Sequence, residues 1–161
     1  MNRVTSIYLP VSADGFMGKS EWDLAWLCGF DTKEEDIGFQ SFLKTVDTVF
    51  TDRKELYIGG PGAGNVAYGE QKIVVVKEDP VRELKELIAL DGDGILIAGS
   101  SMLIQTLKAE GLIGRFILSV YPLFLGSGIR PFREDGRREG LGLLGTRIYE
   151  NGMIQIRYKT E

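Results

Sequence analysis

The chain contains no histidine among its 161 residues, and this absence removes several kinds of catalytic site. A Ser-His-Asp triad needs an imidazole base, and most protein zinc sites include at least one histidine ligand. The commonest proton shuttle near neutral pH is missing as well. We therefore expect any chemistry to depend on carboxylates, hydroxyls, tyrosines or a bound cofactor, and we predict no metal site.

The sequence is also poor in cysteine, in net positive charge and in long apolar segments. It has one cysteine, Cys28, so no internal disulfide can form. The formal net charge of −4 argues against a nucleic-acid partner, because binding to phosphate backbones needs a basic surface. The amino terminus has neither a basic leader nor a long apolar run, so we expect a cytoplasmic protein without a membrane partner.

What is present is enough apolar material for one core, since 43% of the residues are hydrophobic. We predict a single domain over residues 1–161. Its most constrained segment is 95–132, in which an apolar strand leads through a small-residue turn into a helix and then a second strand. The backbone N–H groups of residues 99–102 open that helix, and such a turn is a ready anion site.

The rest of the pattern alternates strands with amphipathic helices. Short β-branched runs predict strands at Val4–Val11, Thr48–Thr51 and Lys72–Val76, and apolar spacing predicts helices over 31–46 and 80–88. Asn151-Gly152 predicts a terminal hairpin. We predict an α/β fold: a mostly parallel twisted sheet flanked by helices on both faces, with an antiparallel carboxyl-terminal edge hairpin.

Three segments resemble motifs of one family. Residues 99–103 read GSSML, which is similar to G-G-x-x-L at a helix start, and residues 111–115 read GLIGR, which is similar to G-L-[IV]-D-E. Residues 122–132 read PLFLGSGIRPF and match P-x-x-L-G-x-G-x-x-x-F. Together they resemble the dihydrofolate reductase-like family, which includes the reductase domain of bacterial riboflavin biosynthesis. Two departures are Ser100 in place of the second glycine and Gly114-Arg115 in place of the acidic pair.

The resemblance implies an NADPH-dependent reductase that transfers hydride to a small heterocycle, of the pterin or aminopyrimidine type. The cofactor-binding residues that it implies are Thr51, Arg53, Lys54, Lys77, Gly99, Ser100, Ser101, Met102 and Leu103. Family members have G-R-x-T where this chain has Asp52-Arg53-Lys54-Glu55. Two added carboxylates beside an anion site oppose the field that the arginine supplies.

On the substrate side, the resemblance implies Ser12, Asp14 and Trp26 as binding residues and Asp23 as the catalytic acid. The S-x-D-G turn at Ser12 follows the first strand, as it does in the family, although Asp-Gly is also a common turn pair. Asp23-Leu24-Ala25-Trp26 looks like the pocket carboxylate of dihydrofolate reductases. The alternative for Asp23 is a helix-capping or exposed aspartate, and both interpretations stay open.

Two other functions are compatible with the sequence. The changes at Asp52, Glu55 and Ser100 would suit a non-catalytic binding protein that kept the fold while losing part of the cofactor site. The other function is the riboflavin-pathway 5-amino-6-(5-phosphoribosylamino)uracil reductase. Members of that branch tend to have an acid just before the glycine pair, where Ile97-Ala98 stands here, and this argues against their substrate.

The apolar segment Phe116–Phe132 suggests an assembly. A strand so rich in large apolar residues would be a liability at a sheet edge, and many relatives of the riboflavin branch form homodimers through this part of the fold. We therefore predict a homodimer with Tyr121, Leu123 and Phe124 near the interface. The alternative is that Ile129–Leu144 folds back over the strand.

Overall fold

The computed structural model describes residues 2–21, 23–27, 30, 38–53 and 70–161. Three helices and seven strands occur in these ranges: β1 Thr5–Ser12, α1 Phe39–Leu43, β2 Val46–Thr51, β3 Lys72–Val75, α2 Pro80–Ala89, β4 Gly94–Ile97, α3 Ser101–Ala109, β5 Arg115–Tyr121, β6 Leu141–Ile148 and β7 Ile154–Thr160. A single 3-10 turn covers Ala25–Leu27. None of the helices in these ranges is both long and apolar enough to cross a bilayer.

The strands form one sheet in the order β3-β2-β4-β1-β5-β7-β6. The pairs β2/β3, β2/β4, β1/β4 and β1/β5 are parallel, while β5/β7 and β6/β7 are antiparallel. The predicted fold class is therefore confirmed. Because the five parallel strands run the same way, their carboxyl ends share one edge of the sheet, where open α/β sheets bind ligands.

Side chains that alternate along each strand build a core on both faces of the sheet. On one face Ile7 and Leu9 of β1 pack with Leu84 of α2 and Ile104 of α3. On the other face the core around Leu43, Val46 and Val49 includes the partly buried Tyr8 and Phe39. Helices on opposite faces fix the sheet between them, so the loops at its carboxyl-end edge start from a rigid frame.

The caps of α2 and α3 follow from local sequence. Asp79 accepts hydrogen bonds from the backbone N–H groups of Val81 and Arg82 at 3.0 and 3.1 Å, and Pro80 occupies the first turn, where no N–H is needed. Ser100 accepts from the N–H of Leu103 at 3.2 Å, which caps α3. Gly111 ends that helical unit with a φ of +66°, as a left-handed terminus requires.

The local structure at Asp23 and the places of two strands in the sheet bear on the site. Within residues 23–27 a single 3-10 turn forms at Ala25–Leu27, and the Asp23 carboxylate accepts from the N–H groups of Lys19 and Ala25. The strand that begins at Lys72, β3, is an edge strand of the described sheet. The apolar β5 lies between β1 and β7, so its large side chains enter the chain's own core.

Candidate functional site

The α3 turn, residues 99–101, connects β4 to α3 at the carboxyl-end edge of the sheet. Gly99 is required there, because a Cβ at this position would lie 2.3 Å from Cδ2 of Leu103. Ser100 and Ser101 follow it, and their N–H groups point away from the helix toward acceptors. The turn therefore has the geometry of an anion site, as the sequence predicts.

The anions at this turn are two carboxylates of the chain itself. Asp52, which follows β2, accepts a hydrogen bond from the backbone N–H of Ser100 at 2.9 Å and another from the Ser100 hydroxyl. Glu21 accepts from the hydroxyl of Ser101 at 2.5 Å, and both of its oxygens lie 3.4 Å from the Ser101 nitrogen. The positive end of the α3 dipole stabilises both negative charges.

Two departures from the family pattern are thus partners in the structure. Asp52 replaces a glycine and Ser100 replaces another, and their side chains bind each other across 48 residues of sequence. Ser100 also caps α3 through Leu103, so its hydroxyl serves both the helix and Asp52. Asp52 therefore has a structural partner at the turn and does not simply oppose the charge of Arg53.

The other residues predicted to bind the cofactor are spread along the same edge. Thr51 is buried at the end of β2, and its hydroxyl accepts from the backbone N–H of Arg53 at 3.1 Å. Arg53 itself is exposed. Met102 exposes 67% of its surface, whereas the side chain of Leu103 belongs to the core. Lys54 lies outside the described residues.

Lys77 lies beyond β3, at the far side of the same edge. Its N–H, with those of Glu78 and Asp79, donates to the carboxylate of Glu83 at 2.9 to 3.2 Å. These hydrogen bonds lower the pKa of Glu83, the one from Glu78 most strongly. A second cluster of outward N–H groups is thus satisfied by an acid of the chain, and a role for Lys77 in cofactor binding stays a prediction.

Ser12 and Asp14 connect two loops. The Ser12 hydroxyl donates to Asp14 at 2.5 Å, and Asp14 in turn accepts from the N–H groups of Leu125 and Gly126 at 3.1 and 2.8 Å. The loop after β1 is therefore fixed to the glycine-containing loop after β5. In the described geometry these two side chains position backbone, and direct substrate contact by them stays a prediction.

The loops after β1 and β5 are also joined by backbone hydrogen bonds beside Gly18 and Gly128. Met17 donates to the carbonyl of Ile129 at 2.9 Å, and Ile129 donates back to Gly18 at 2.8 Å. A Cβ on Gly128, whose φ is +143°, would lie 2.1 Å from the carbonyl oxygen of Gly18. The glycine of the L-G-x-G motif thus allows a backbone-to-backbone approach.

The pKa of Asp14 is lowered, mainly because the Ser12 hydroxyl binds the charged form, with help from the Gly126 and Leu125 N–H groups. A carboxyl with a depressed pKa stabilises the fold above its ordinary pKa of about 3.9, and this contribution is lost as the pH falls through the lower folded-state value. We expect Asp14→Asn to lower stability near neutral pH and to lose that difference in acid. Urea unfolding near neutral pH and in acid measures the difference in the free energy of unfolding, and Asp91→Asn, at an exposed aspartate, is the control. A loss of stability in Asp14→Asn that is equal at the two pH values would contradict the role of the charge.

Trp26, a predicted substrate-binding residue, packs on Tyr121 at the end of β5. The Trp26 ring meets the Tyr121 ring edge-on at 5.4 Å, and its Nε1 donates to the carbonyl of Met17 at 3.1 Å. Burial raises the pKa of Tyr121, and Tyr149 adds to the effect. Asp23 lies in the preceding loop, half-buried, with the backbone contacts of a capping residue. Those contacts fit the capping interpretation, and a catalytic role for Asp23 stays a prediction.

Sequence reasoning missed a buried polar cluster beneath α1. The Gln155 amide donates to the hydroxyl of Tyr8 at 2.6 Å and lies 3.4 Å from that of Ser119. Gly38, with a φ of +81°, precedes α1, and a Cβ on it would lie 3.5 to 3.6 Å from side-chain oxygens of Gln155, Tyr149 and Tyr8. The alternating pattern of β7 gave no signal for Gln155, because it shares its side of the strand with Arg157 and Lys159.

The fit of this site to a dinucleotide cofactor depends on Ser101. Asp52 takes the hydrogen-bonding groups of Ser100, so an incoming phosphate is left with the N–H and the hydroxyl of Ser101. Those two groups already hold an anion in the form of Glu21. The turn accordingly fits one phosphate group, provided that the Glu21 carboxylate moves away.

Comparison with known proteins agrees with this fold. Residues 43–155 match the model of the family described as RibD C-terminal domain. The uncharacterized protein YwjB of Bacillus subtilis is 30% identical, over 98% of each chain. Among solved structures, a putative riboflavin biosynthesis protein from Shewanella sp. PV-4 is 21% identical with a TM-score of 0.78, over 98% of this chain and 99% of that one. Dihydrofolate reductase from Enterococcus faecalis, in a complex with NADP(H) and RAB-propyl, is 14% identical with a TM-score of 0.64, over 100% and 99% of the chains.

Proposed function

Because the chain belongs to the family of RibD C-terminal domains, we propose that it is an NADPH-dependent reductase that transfers hydride to a small heterocycle of the pterin or aminopyrimidine type. The observation that carries the proposal is the α3 turn, which presents the anion-binding groups of Ser101 at the carboxyl-end edge of the sheet. The bound NADP(H) of the Enterococcus faecalis reductase supports the choice of cofactor.

When bound, NADPH supplies the hydride, so the protein has to align two rings, exclude water and help to deliver one proton. Ser101 holds a phosphate through its N–H and hydroxyl, and the exposed Arg53 side chain adds positive charge beside the neighbouring strand end. The packed rings of Trp26 and Tyr121 exclude water on the substrate side. Asp23 is the proposed proton donor.

A second candidate is a non-catalytic binding protein on the same fold. The observation that favours it is the occupation of the α3 turn by Asp52 and Glu21, which take the positions that cofactor phosphates need. A chain that no longer bound a dinucleotide could keep these internal contacts as a stabilising feature. Binding and turnover measurements separate the two candidates.

The test of the reductase is a screen in which NADPH is mixed with the protein and a panel of pterins and aminopyrimidines, including the riboflavin-pathway pyrimidine. We expect one compound to consume NADPH in a 1:1 ratio, and we expect Asp23→Asn to retain NADPH binding while it loses turnover. Binding without consumption would favour the non-catalytic protein. Absence of NADPH binding at millimolar concentration, where an affinity of about −4 kcal/mol would be visible, would remove the reductase proposal.

Arg53→Ala is expected to weaken NADPH binding by about 1–3 kcal/mol, the range for loss of a charged hydrogen bond. Titration calorimetry measures the change. Arg82→Ala is the matched control, because Arg82 is an exposed arginine on α2. Equal affinity of the Arg53 variant and the wild type would remove Arg53 from the site.

We also propose that the protein is a homodimer. Tyr121 is buried under the rings of Trp26 and Phe30, so it cannot contribute to an interface directly. Part of the segment that follows β5 does fold back, since Phe132 packs on Phe116 with ring centroids 5.8 Å apart. Phe124 nevertheless exposes 79% of its surface, and Ile148 on β6 exposes 77%. Such apolar exposure on and near an edge strand suits a covered surface.

Phe124 and Ile148 share one corner of the domain, because the β6–β7 turn at Gly152 packs against Pro122. We expect light scattering of the wild-type protein at micromolar concentration to give twice the chain mass of 17.9 kDa. The Phe124→Asp variant should give the mass of a single chain. Leu90→Asp, which alters an exposed leucine at the end of α2, should leave the mass unchanged. A wild-type mass near 17.9 kDa would contradict the dimer.

A further inference from the structure

Glu21 covers the part of the α3 turn that a phosphate would use. Its carboxylate lies on the hydroxyl of Ser101 at 2.5 Å and on the Ser101 nitrogen at 3.4 Å, and Ser101 is buried beneath it. A carboxylate and a phosphate group accept hydrogen bonds from the same N–H and hydroxyl donors at a helix start. The two anions cannot occupy Ser101 together, because they would share its donors and repel each other.

Asp52 and Glu21 differ in how they are held. Asp52 directly follows β2 and has two hydrogen bonds to Ser100, so moving it would disturb the end of a central strand and the cap of α3. Glu21 lies in a loop that connects β1 to the Trp26 turn. Among the described residues, its carboxylate has hydrogen bonds to Ser101 alone. Glu21 is therefore the exchangeable one of the two anions.

The loop that carries Glu21 has anchors on both sides. Before it, Gly18 pairs with Ile129, and the Lys19 ammonium donates to the carbonyl of Leu125 at 2.9 Å. After it, the Trp26 indole donates to the carbonyl of Met17. None of these anchoring contacts involves the Glu21 carboxylate, so its release from Ser101 does not by itself break them.

We propose that Glu21 is an internal competitor for the phosphate of the cofactor: in the free protein it closes the α3 turn, and it leaves Ser101 when the phosphate binds. The inference rests on the proposed function, because the phosphate is that of NADPH. Closure reduces the apparent affinity by the fraction of molecules in which the turn is open. The contact also couples cofactor binding to the loop that precedes Trp26, because Glu21 belongs to that loop and loses its hydrogen bonds to Ser101 when the phosphate binds.

The experiment compares wild type, Glu21→Gln, Glu21→Ala and the control Glu110→Gln. Glu110 is an exposed glutamate at the opposite end of α3, so its variant has the same change in net charge on the same helix. Titration calorimetry with NADPH and separately with inorganic pyrophosphate gives the affinities. Hydrogen exchange, read by mass spectrometry over residues 18–24, reports the loop.

We expect both Glu21 variants to bind NADPH and pyrophosphate roughly tenfold more tightly, the effect of a turn that is closed in about nine molecules of ten. Glu110→Gln should match the wild type. Pyrophosphate should speed exchange over residues 18–24 in the wild type and change it little in the Glu21 variants, in which exchange is already fast.

Three outcomes would overturn the inference: equal affinities in wild type and Glu21 variants, exchange over 18–24 that anions leave unchanged or slow down, or no binding of either probe to any variant at millimolar concentration. Pyrophosphate that displaces the loop in a protein that oxidises no NADPH would sustain the competitor and contradict the reductase. Turnover of NADPH, together with NADPH affinities that do not change in the Glu21 variants, would sustain the reductase and contradict the competitor.

Discussion

Gly128→Ala is expected to lower the free energy of unfolding by about 2–4 kcal/mol, which combines a strained left-handed residue with the loss of backbone hydrogen bonds. The added Cβ would lie 2.1 Å from the Gly18 carbonyl oxygen, so the loops after β1 and β5 would have to separate. The hydrogen bonds that join Met17 and Gly18 to Ile129 would then be lost. Because these loops also position Glu21 and Trp26, we expect NADPH binding to change as well.

Gly126→Ala is the matched control for this prediction. Gly126 has a φ of +77°, but a Cβ there would meet nothing within 4 Å. Its variant therefore includes the conformational cost of about 1–2 kcal/mol without the clash. Denaturant unfolding measures both variants. Equal destabilisation by the two would show that the contact between Gly128 and Gly18 has no weight of its own.

Leu84→Ala is expected to destabilise the fold by about 2–5 kcal/mol, the cost of a cavity in a packed core. The Leu84 side chain has no exposed surface and packs from α2 against the face that β1, β4 and α3 share. Leu90 ends the same helix with 56% of its surface exposed, so Leu90→Ala should change stability by less than about 0.5 kcal/mol. Thermal and denaturant unfolding compare the pair. A small effect at Leu84 would contradict the packing of α2 on the sheet.

Local patterns were sufficient to predict most of the elements in the described ranges. The unit from β4 to β5 has the order of strand, turn, helix and second strand that the sequence predicts, because each boundary is set by neighbouring residues. The Asn151-Gly152 turn was equally local, and Gly152 has the positive φ that such a turn needs. Short-range physics decides these features, so a single sequence reveals them.

The order of the strands was not accessible in the same way. The apolar composition of β5 did not reveal its neighbours in the sheet; the returning hairpin places β7 beside it and leaves β6 outside. At this end of the sheet, exposed apolar side chains lie on β6, at Ile154 of β7 and at Phe124, and not on β5. Pairing between distant strands depends on the whole sheet, which no local window contains.

The contacts at the candidate site were also hidden from the sequence. Asp52 was visible as a departure from the family pattern, and its charge was expected to oppose that of Arg53. Its hydrogen bond to Ser100, 48 residues away in sequence, shows instead that it binds the α3 turn. Glu21 gave no signal at all, since its contact with Ser101 spans 80 residues and a lone glutamate in a loop resembles any surface acid. Two acids thus bind the anion turn, and the sequence placed only Asp52 near it.

The central claim is that NADPH binds at the α3 turn. The most direct measurement is a two-dimensional amide NMR titration of the labelled wild-type protein with NADPH. We expect the largest shifts at the amides of Gly99 to Leu103, with further changes at Arg53 and in the loop at Glu21. Shifts confined to other parts of the chain, or none at millimolar NADPH, would contradict the claim.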